Sequence, residues 1–144
     1  MESIVNQCEI SERIISIADK YGSRNPQQLK QLKHSFAKYD KEELFRGCIQ
    51  IFAEKSSNSF ERQQLAGRLL YTVRPQVHIK IKEVVRLCLD TYDVSVEELP
   101  WYLCSLVGKE RVLALLEELT IESITENERD SLDTMIYWTK CYST

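Results

Sequence analysis

With 144 residues, the chain has the usual length of a single domain and can bury about two-thirds of its unfolded surface in one core. Its 4 Gly and 3 Pro argue against a turn-rich all-β fold, and its formal net charge of −3 argues against strong binding to nucleic-acid phosphates. No apolar run reaches the about 18–20 residues that span a bilayer, and the N-terminus lacks a basic stretch followed by an apolar one, so we expect a cytoplasmic protein that contacts no membrane.

Three helices are predicted in the first 55 residues. The first runs from Ser3 to Tyr21 and stops at Gly22, and its apolar spacing predicts that Ile4, Val5, Cys8, Ile14, Ile15, Ala18 and Tyr21 face inward. Asn25 and Pro26 form a helix-start pair for the second helix. Asp40 with Glu43 makes a capping box for the third helix.

Two further helices are predicted between residues 59 and 92. Ser59 can cap the fourth helix, which stops before Pro75. Proline restricts the residue before it, so Arg74 is expected to be extended, and Pro75 can open the fifth helix. Residues 77–82 alternate apolar and polar side chains, and an edge strand is the alternative for this stretch.

The stretch from Ser95 to Leu119 predicts a helical hairpin. Ser95 and Glu98 have the spacing of a capping box, and Gly108 can end the helix that follows. Apolar residues recur at three-and-four spacing in both halves of the hairpin, at Val96, Leu99, Leu103, Leu106, Val107, Val112, Leu113, Leu116 and Leu119. Thr125 and Glu128 make a last capping box before the C-terminal helix.

Together these elements predict one all-α domain over residues 1–144, an irregular antiparallel bundle of about eight helices. Cys8, Cys48 and Cys88 are spaced by 40 residues, which is the period of helix-pair repeats of the HEAT type. The segment FERQQLAGRLLYTVRPQVHIKIKEVVRLCLDTY resembles one such unit, in which Arg62, Ala66 and Arg68 are of the types that such repeats often carry. Neighbouring pairs match poorly, so HEAT-like helix pairs are expected within an irregular bundle.

No catalytic or metal-binding pattern is present in the sequence. His34 and His78 are the only histidines and lie in polar surroundings, the glycines are isolated, and no CxxC or HExxH pair occurs. The 5 cysteines lie in apolar helical stripes and are expected to be reduced core residues. We therefore expect no cofactor, no metal and no enzymatic activity, while a helical enzyme with a polar pocket stays open as an alternative.

The charge is divided unevenly along the chain. Residues 1–89 carry a net charge of +5 and residues 90–144 carry −8, so the C-terminal part can steer a basic protein partner. Solvated helix surfaces and helix first turns carry such acids as well. Acids and aromatic side chains of the central region are the candidate partner-binding residues: Asp90, Asp93, Glu97, Glu98, Trp101, Tyr102, Glu122 and Glu126.

In its overall plan and in the phrase SVEELPWYLCSLVGKERVLALLEEL, the chain resembles the small all-helical immunity proteins of bacterial toxin systems, including contact-dependent growth inhibition. The resemblance implies binding to a toxin domain, for which a nuclease is expected, and blocking of its basic active site. Carboxylates such as Asp93, Glu97 and Glu98 would then pair with toxin cations, and Trp101 would anchor the contact. A non-catalytic HEAT-like adaptor is the alternative hypothesis. Neither function involves binding to nucleic acid or to a small-molecule substrate.

Overall fold

The computed structural model describes residues 2–122 and 124–143, with side chains from Val5 onward. The described part contains eight α-helices and no strand, which confirms the predicted all-α class and the irregular bundle of about eight helices. A short 3-10 turn at Phe36–Lys38 follows the second helix. In chain order the helices are α1 (Glu2–Tyr21), α2 (Pro26–Ser35), α3 (Lys41–Phe52), α4 (Ser59–Val73), α5 (Ile81–Cys88), α6 (Glu98–Val107), α7 (Lys109–Thr120) and α8 (Glu126–Cys141).

Helix α4 lies in the middle of the bundle and packs against α1, α2, α3 and α6. Its Leu65, Leu69 and Leu70 are fully buried, together with Phe52 at the end of α3. Helices α6, α7 and α8 pack on one another, and α5 packs mainly on α7 and α3. The repeat-like segment from Phe60 to Tyr92 forms α4 and α5, but these two helices pack mainly on other elements and not on each other, so they do not form the predicted HEAT-like pair.

Several helix boundaries follow the predicted side-chain chemistry. Asp40 with Glu43 and Thr125 with Glu128 both form the complete reciprocal capping box. The Asn25 side chain accepts hydrogen bonds from two backbone N–H groups at the start of α2. Glycine ends α1 as predicted, since Gly22 has φ of +77° and donates its N–H to the carbonyl of Ala18.

The predicted caps at Ser59 and Ser95 are wrong. Ser59 is the first residue of α4, and its hydroxyl donates to the carbonyl of Ser56 instead of capping the helix. Helix α6 begins at Glu98, and residues 89–97 form an irregular connection in which the Asp93 carboxylate accepts the backbone N–H of Ser95 at 2.9 Å. That bond makes a local turn, so Ser95 lies before the helix and not at its cap.

The predicted start of the fifth helix at Pro75 is also wrong, because α5 begins only at Ile81. Arg74 is not extended but left-handed, with φ of 51°. In this conformation its N–H still closes α4 on the carbonyl of Leu70, and its guanidinium lies over the ring of Tyr71 at 4.3 Å. Residues 75–80 follow without regular structure, and the alternative edge strand at 77–82 does not pair with any described residue.

The inward face of α1 differs in part from the prediction. Ile14 and Ala18 are buried as expected, whereas Val5, Cys8 and Tyr21 are exposed, and the side chain of Ile4 lies outside the described residues. Cys8 and Cys141 are exposed, so the expectation of core cysteines holds for Cys48, Cys88 and Cys104 alone. None of the described helices has both the length and the apolar character needed to cross a membrane.

Candidate functional site

Three of the candidate acids lie on the connection between α5 and α6: Asp90, Asp93 and Glu97. Buried side chains on the core side of this connection hold its backbone in place. The Gln63 side chain is 0% exposed; its amide donates to the carbonyl of Thr91 and its oxygen accepts the N–H of Asp93, both at 2.7 Å. The buried Tyr92 hydroxyl donates to the carbonyl of Val96 at 2.5 Å. Three fixed backbone groups therefore give an irregular segment a defined conformation.

Helix α8 holds the same connection from the side. Asn127 donates to the backbone carbonyl of Asp90 at 2.9 Å, and the Trp138 indole N–H donates to the carbonyl of Val94 at 2.9 Å. The two donors are eleven residues apart, about three helical turns, and so lie on one side of α8. The Asp90–Val94 stretch thus runs along this side of α8.

We call the resulting surface the acidic face. On the connection it includes Asp90, Asp93, Val94 and Glu97, and on α8 it includes Glu126, Asp130 and Tyr137, which lie beside the line of Asn127 and Trp138. Two apolar side chains on it are open to solvent: Val94 is 45% exposed and Tyr137 is 59% exposed. The surface therefore combines carboxylates with apolar contacts, a composition that suits a partner carrying Lys and Arg.

One basic neighbour reduces this charge at the edge of the acidic face. Lys55 approaches Asp90 at 3.6 Å, and both side chains are largely exposed. An exposed pair of this kind contributes little and is screened by salt, so a partner cation can replace Lys55 at small cost. No described cation forms an ion pair with Asp93, Glu97, Glu126 or Asp130.

The predicted anchor Trp101 is half-buried and serves mainly to connect elements. Its indole N–H donates to the carbonyl of Trp138 at 2.9 Å, and its ring meets the ring of Trp138 edge to face at 6.4 Å. It also packs against Tyr71 and Tyr142. Tyr137, whose ring packs on Trp138 at 5.1 Å, takes the exposed aromatic position instead. Neither Tyr137 nor Val94 is among the candidate residues predicted from the sequence. The helical spacing does indicate the exposure of Tyr137, because this residue lies off the side of α8 that carries the buried Leu132 and Met135.

The assignment of Tyr102 to the partner surface is wrong. The side chain is 0% exposed, and its hydroxyl donates to the carbonyl of Pro75 at 2.7 Å. Burial raises the pKa of the phenol above its ordinary value of 10.0, so the hydroxyl is neutral at pH 7 and can donate this bond. Tyr102 shares the buried side of α6 with Leu99 and Leu103, and it cannot reach a partner.

Glu122 lies away from the acidic face, although the sequence grouped it there. At the end of α7 its carboxylate accepts a hydrogen bond from Arg86 of α5 and lies 3.5 Å from the Lys82 ammonium. The hydrogen bond from Arg86 holds the pKa of Glu122 below its ordinary value. Its charge therefore already has partners within the chain.

Glu98 begins α6 and is half-buried against α4. Its Cβ lies 3.0 Å from where a Cβ on Gly67 would be, and one of its carboxylate oxygens is buried without a hydrogen-bond partner among the described residues. Burial, with a smaller contribution from Glu97, raises the pKa of Glu98 above the ordinary value of 4.5, against the opposing charge of Arg68. Glu98 is therefore at the inner edge of the acidic face and a poor contact for a partner.

Replacing Glu98 by glutamine is expected to stabilise the protein at pH 7. Because the pKa of Glu98 is higher in the folded state, the fold binds the proton more tightly, and the stability contributed by this group falls as the pH rises through that pKa. The difference between the variant and the original chain should shrink as the pH is lowered through the raised pKa toward the ordinary value of 4.5. Urea unfolding between pH 4 and pH 8 measures it, with the exposed Glu110→Gln as control; a difference that is independent of pH would contradict the assignment.

The described residues contain no group of three His, Cys, Asp or Glu side chains placed to hold a metal ion. His34 and His78 are both exposed. Comparisons of the chain with protein-family models, with curated proteins and with solved structures give no match. The surface chemistry of this chain is therefore the basis for any functional proposal.

Proposed function

We propose that the chain is a binding protein that covers a basic surface of another protein with its acidic face, and that it acts as an immunity protein against a toxin domain. The observation that carries the proposal is the irregular Asp90–Glu97 connection, whose backbone is held by Gln63, Tyr92, Asn127 and Trp138. The backbone that carries its carboxylates is thereby ordered before binding, so a partner need not supply the free energy to order that backbone.

The expected partner follows from the chemistry of the face. Carboxylates on a fixed backbone accept charge-assisted hydrogen bonds from Lys and Arg, and nuclease active sites use such cations to hold phosphate. Val94 and Tyr137 add apolar contact beside the charges. A surface of this kind would block a nuclease by occupying its phosphate-binding cations, which agrees with the resemblance of the chain to immunity proteins.

The triple variant Asp90→Asn, Asp93→Asn and Glu97→Gln tests the proposal. Asn at position 93 keeps the acceptor for the Ser95 N–H, so the connection should retain its conformation. Each exposed charge pair contributes about 0.5–1 kcal/mol, so the three together should weaken binding by about tenfold to a hundredfold and reduce its salt dependence. The matched control is Glu12→Gln, Glu110→Gln and Glu117→Gln, three exposed acids that lie off the acidic face.

The probe is the product of the gene directly upstream of this one in its native genome. We expect it to be basic, toxic when expressed alone, harmless when expressed with this chain, and bound tightly at low salt. The triple variant should lose protection and the control should keep it. A bound partner that is not toxic would favour the adaptor, and equal affinity of the triple variant and the original chain would overturn the acidic face as the binding surface.

A further inference from the structure

A second candidate surface lies at the connection between α4 and α5, within the part of the chain that has a net positive charge. We call residues 76–80 the extended segment. Exposure alternates along it: Val77 and Ile79 are half-buried, His78 and Lys80 are exposed, and Ile81 beyond it is buried. Lys80 has extended dihedral angles. The segment therefore has the two-residue side-chain alternation of a β-strand.

The backbone N–H groups of the extended segment, from Gln76 to Lys80, have no hydrogen-bond partner among the described residues. The segment is nevertheless held at both ends, because the Tyr102 hydroxyl donates to the carbonyl of Pro75 and the carbonyl of Lys80 accepts the N–H of Val84 in α5. A fixed, extended and unpaired backbone is a template on which another strand can pair.

A groove of about 820 Å³ runs between the extended segment and helices α6 and α7. Leu106, Val107 and Leu115 contribute apolar side chains to it. Its charged lining is mostly basic, with four cations and one acid: Lys80, Lys82, Arg86, Arg111 and Glu83. A strand bound there would thus meet apolar contacts and a positive potential.

Not all of these cations are free to bind a ligand. Lys82 lies 3.2 Å from Glu118, and both it and Arg86 contact Glu122. Arg111 forms no ion pair within the described part of the chain, and Lys80 reaches Glu83 only at 4.0 Å with both side chains mostly exposed. Lys80 and Arg111 are therefore the two cations at the groove whose charge is not compensated by a close acid.

The cavity along α3, which also includes His78, Ile79 and Lys80, differs in charge. It has about 550 Å³ and is lined in part by Glu42 and Arg46, which pair with each other at 3.1 Å. The charge of that pair is already compensated, so this cavity gives no comparable preference for an anionic ligand. The groove at α6 and α7 is the one that favours an anionic ligand, because Lys80 and Arg111 contribute positive charge to it.

We propose that this groove binds an extended acidic peptide segment of a partner protein, which adds as a strand to residues 76–80. Main-chain hydrogen bonds to the extended segment supply affinity, apolar side chains of the peptide contact Leu106 and Leu115, and its carboxylates pair with Lys80 and Arg111. The unpaired strand-like backbone favours a peptide over a nucleic acid, which has no matching main-chain groups. This site is independent of the acidic face and of the function proposed for it.

The test uses fluorescence anisotropy with a labelled peptide of alternating Glu and Val. Two comparison peptides isolate the two sources of affinity: one has Lys in place of Glu, and one has alternate backbone nitrogens methylated. We expect saturable binding of the Glu–Val peptide, no binding of the Lys–Val peptide, and at least about tenfold weaker binding of the methylated peptide, because methylation removes main-chain donors.

Variants of the protein complete the test. Lys80→Glu with Arg111→Glu should weaken Glu–Val binding by at least about tenfold, since attraction at two positions becomes repulsion. Lys30→Glu with Lys33→Glu, an equal charge change on exposed positions of α2, should leave binding unchanged. Circular dichroism confirms that each variant is folded. Equal binding of the methylated peptide, absence of Glu–Val binding, or displacement of the peptide by single-stranded DNA at equal concentration would overturn the proposal.

Discussion

Replacing Gly47 by alanine is expected to destabilise the fold by about 2–3 kcal/mol, although alanine is ordinarily the better residue within a helix. Gly47 is buried in α3 where that helix meets α1. A Cβ added there would lie 2.6 Å from Cγ2 and 2.9 Å from Cβ of Ile10, distances that force the two helices apart. Separation would also strain the Ser11 hydroxyl bond to the Gly47 carbonyl, now 2.8 Å long. Urea unfolding measures the loss.

Two controls identify the contact as the cause. Gly108→Ala meets no atom within 4 Å, so any loss there comes from its φ of +99° alone. In a double-mutant cycle, Gly47→Ala with Ile10→Ala should cost less than the sum of the single changes, since shortening Ile10 removes one of the clashing atoms. A neutral or stabilising Gly47→Ala, or strict additivity in the cycle, would show that α1 and α3 adjust freely.

The sequence predicted helix ends well where their chemistry is local. The boxes at Asp40 and Thr125 involve a side chain and a backbone group three residues apart, so the sequence alone contains all that they need. Ser95 has the same spacing to Glu98 and fails. There Asp93 takes the Ser95 N–H, and Gln63, thirty residues away, accepts the N–H of Asp93. A long-range hydrogen bond decided the local structure.

The candidate site was predicted only in part, because contacts between residues distant in the sequence decide which side chains lie together. The charge division of the chain pointed to the acids on the α5–α6 connection, and the structure places Asp90 and Val94 of that connection against α8. Periodicity could not tell that Tyr102 is buried under Pro75. Nor could it tell that Glu122 would pair with Arg86, because ion pairs between residues 36 positions apart depend on how helices pack.

Replacing Gln63 by leucine is expected to weaken partner binding by about tenfold while leaving every carboxylate of the acidic face in place. Leucine has a similar size but cannot bond to the Thr91 carbonyl or the Asp93 N–H, and both are then left without their buried partner. Such groups cost about 1–3 kcal/mol when unsatisfied, so the connection should loosen. Faster hydrogen exchange of the Asp93 amide and a lower urea midpoint report the loosening directly.

Gln64→Leu is the matched control, one position further along the same helix. Gln64 is also buried, and its side-chain oxygen accepts the Ser23 hydroxyl at 2.9 Å. Its side chain lies beside Glu98, but no hydrogen bond joins it to the described residues 89–97. The control variant should lower stability to a similar extent without weakening partner binding. If both variants weaken binding equally, general destabilisation accounts for the loss; if neither does, the fixed conformation of the connection is irrelevant to recognition.

The salt dependence of binding distinguishes the effect of an ordered connection from the effect of the charges that it carries. The charge-removing variant at Asp90, Asp93 and Glu97 should flatten the dependence of affinity on salt, because it removes the ion pairs that salt screens. Gln63→Leu keeps these charges and should lower affinity at every salt concentration by a similar factor, since the added cost is that of ordering the connection. Parallel curves for Gln63→Leu and the original chain, displaced from each other, would identify the buried glutamine as a positioning residue for the acidic face.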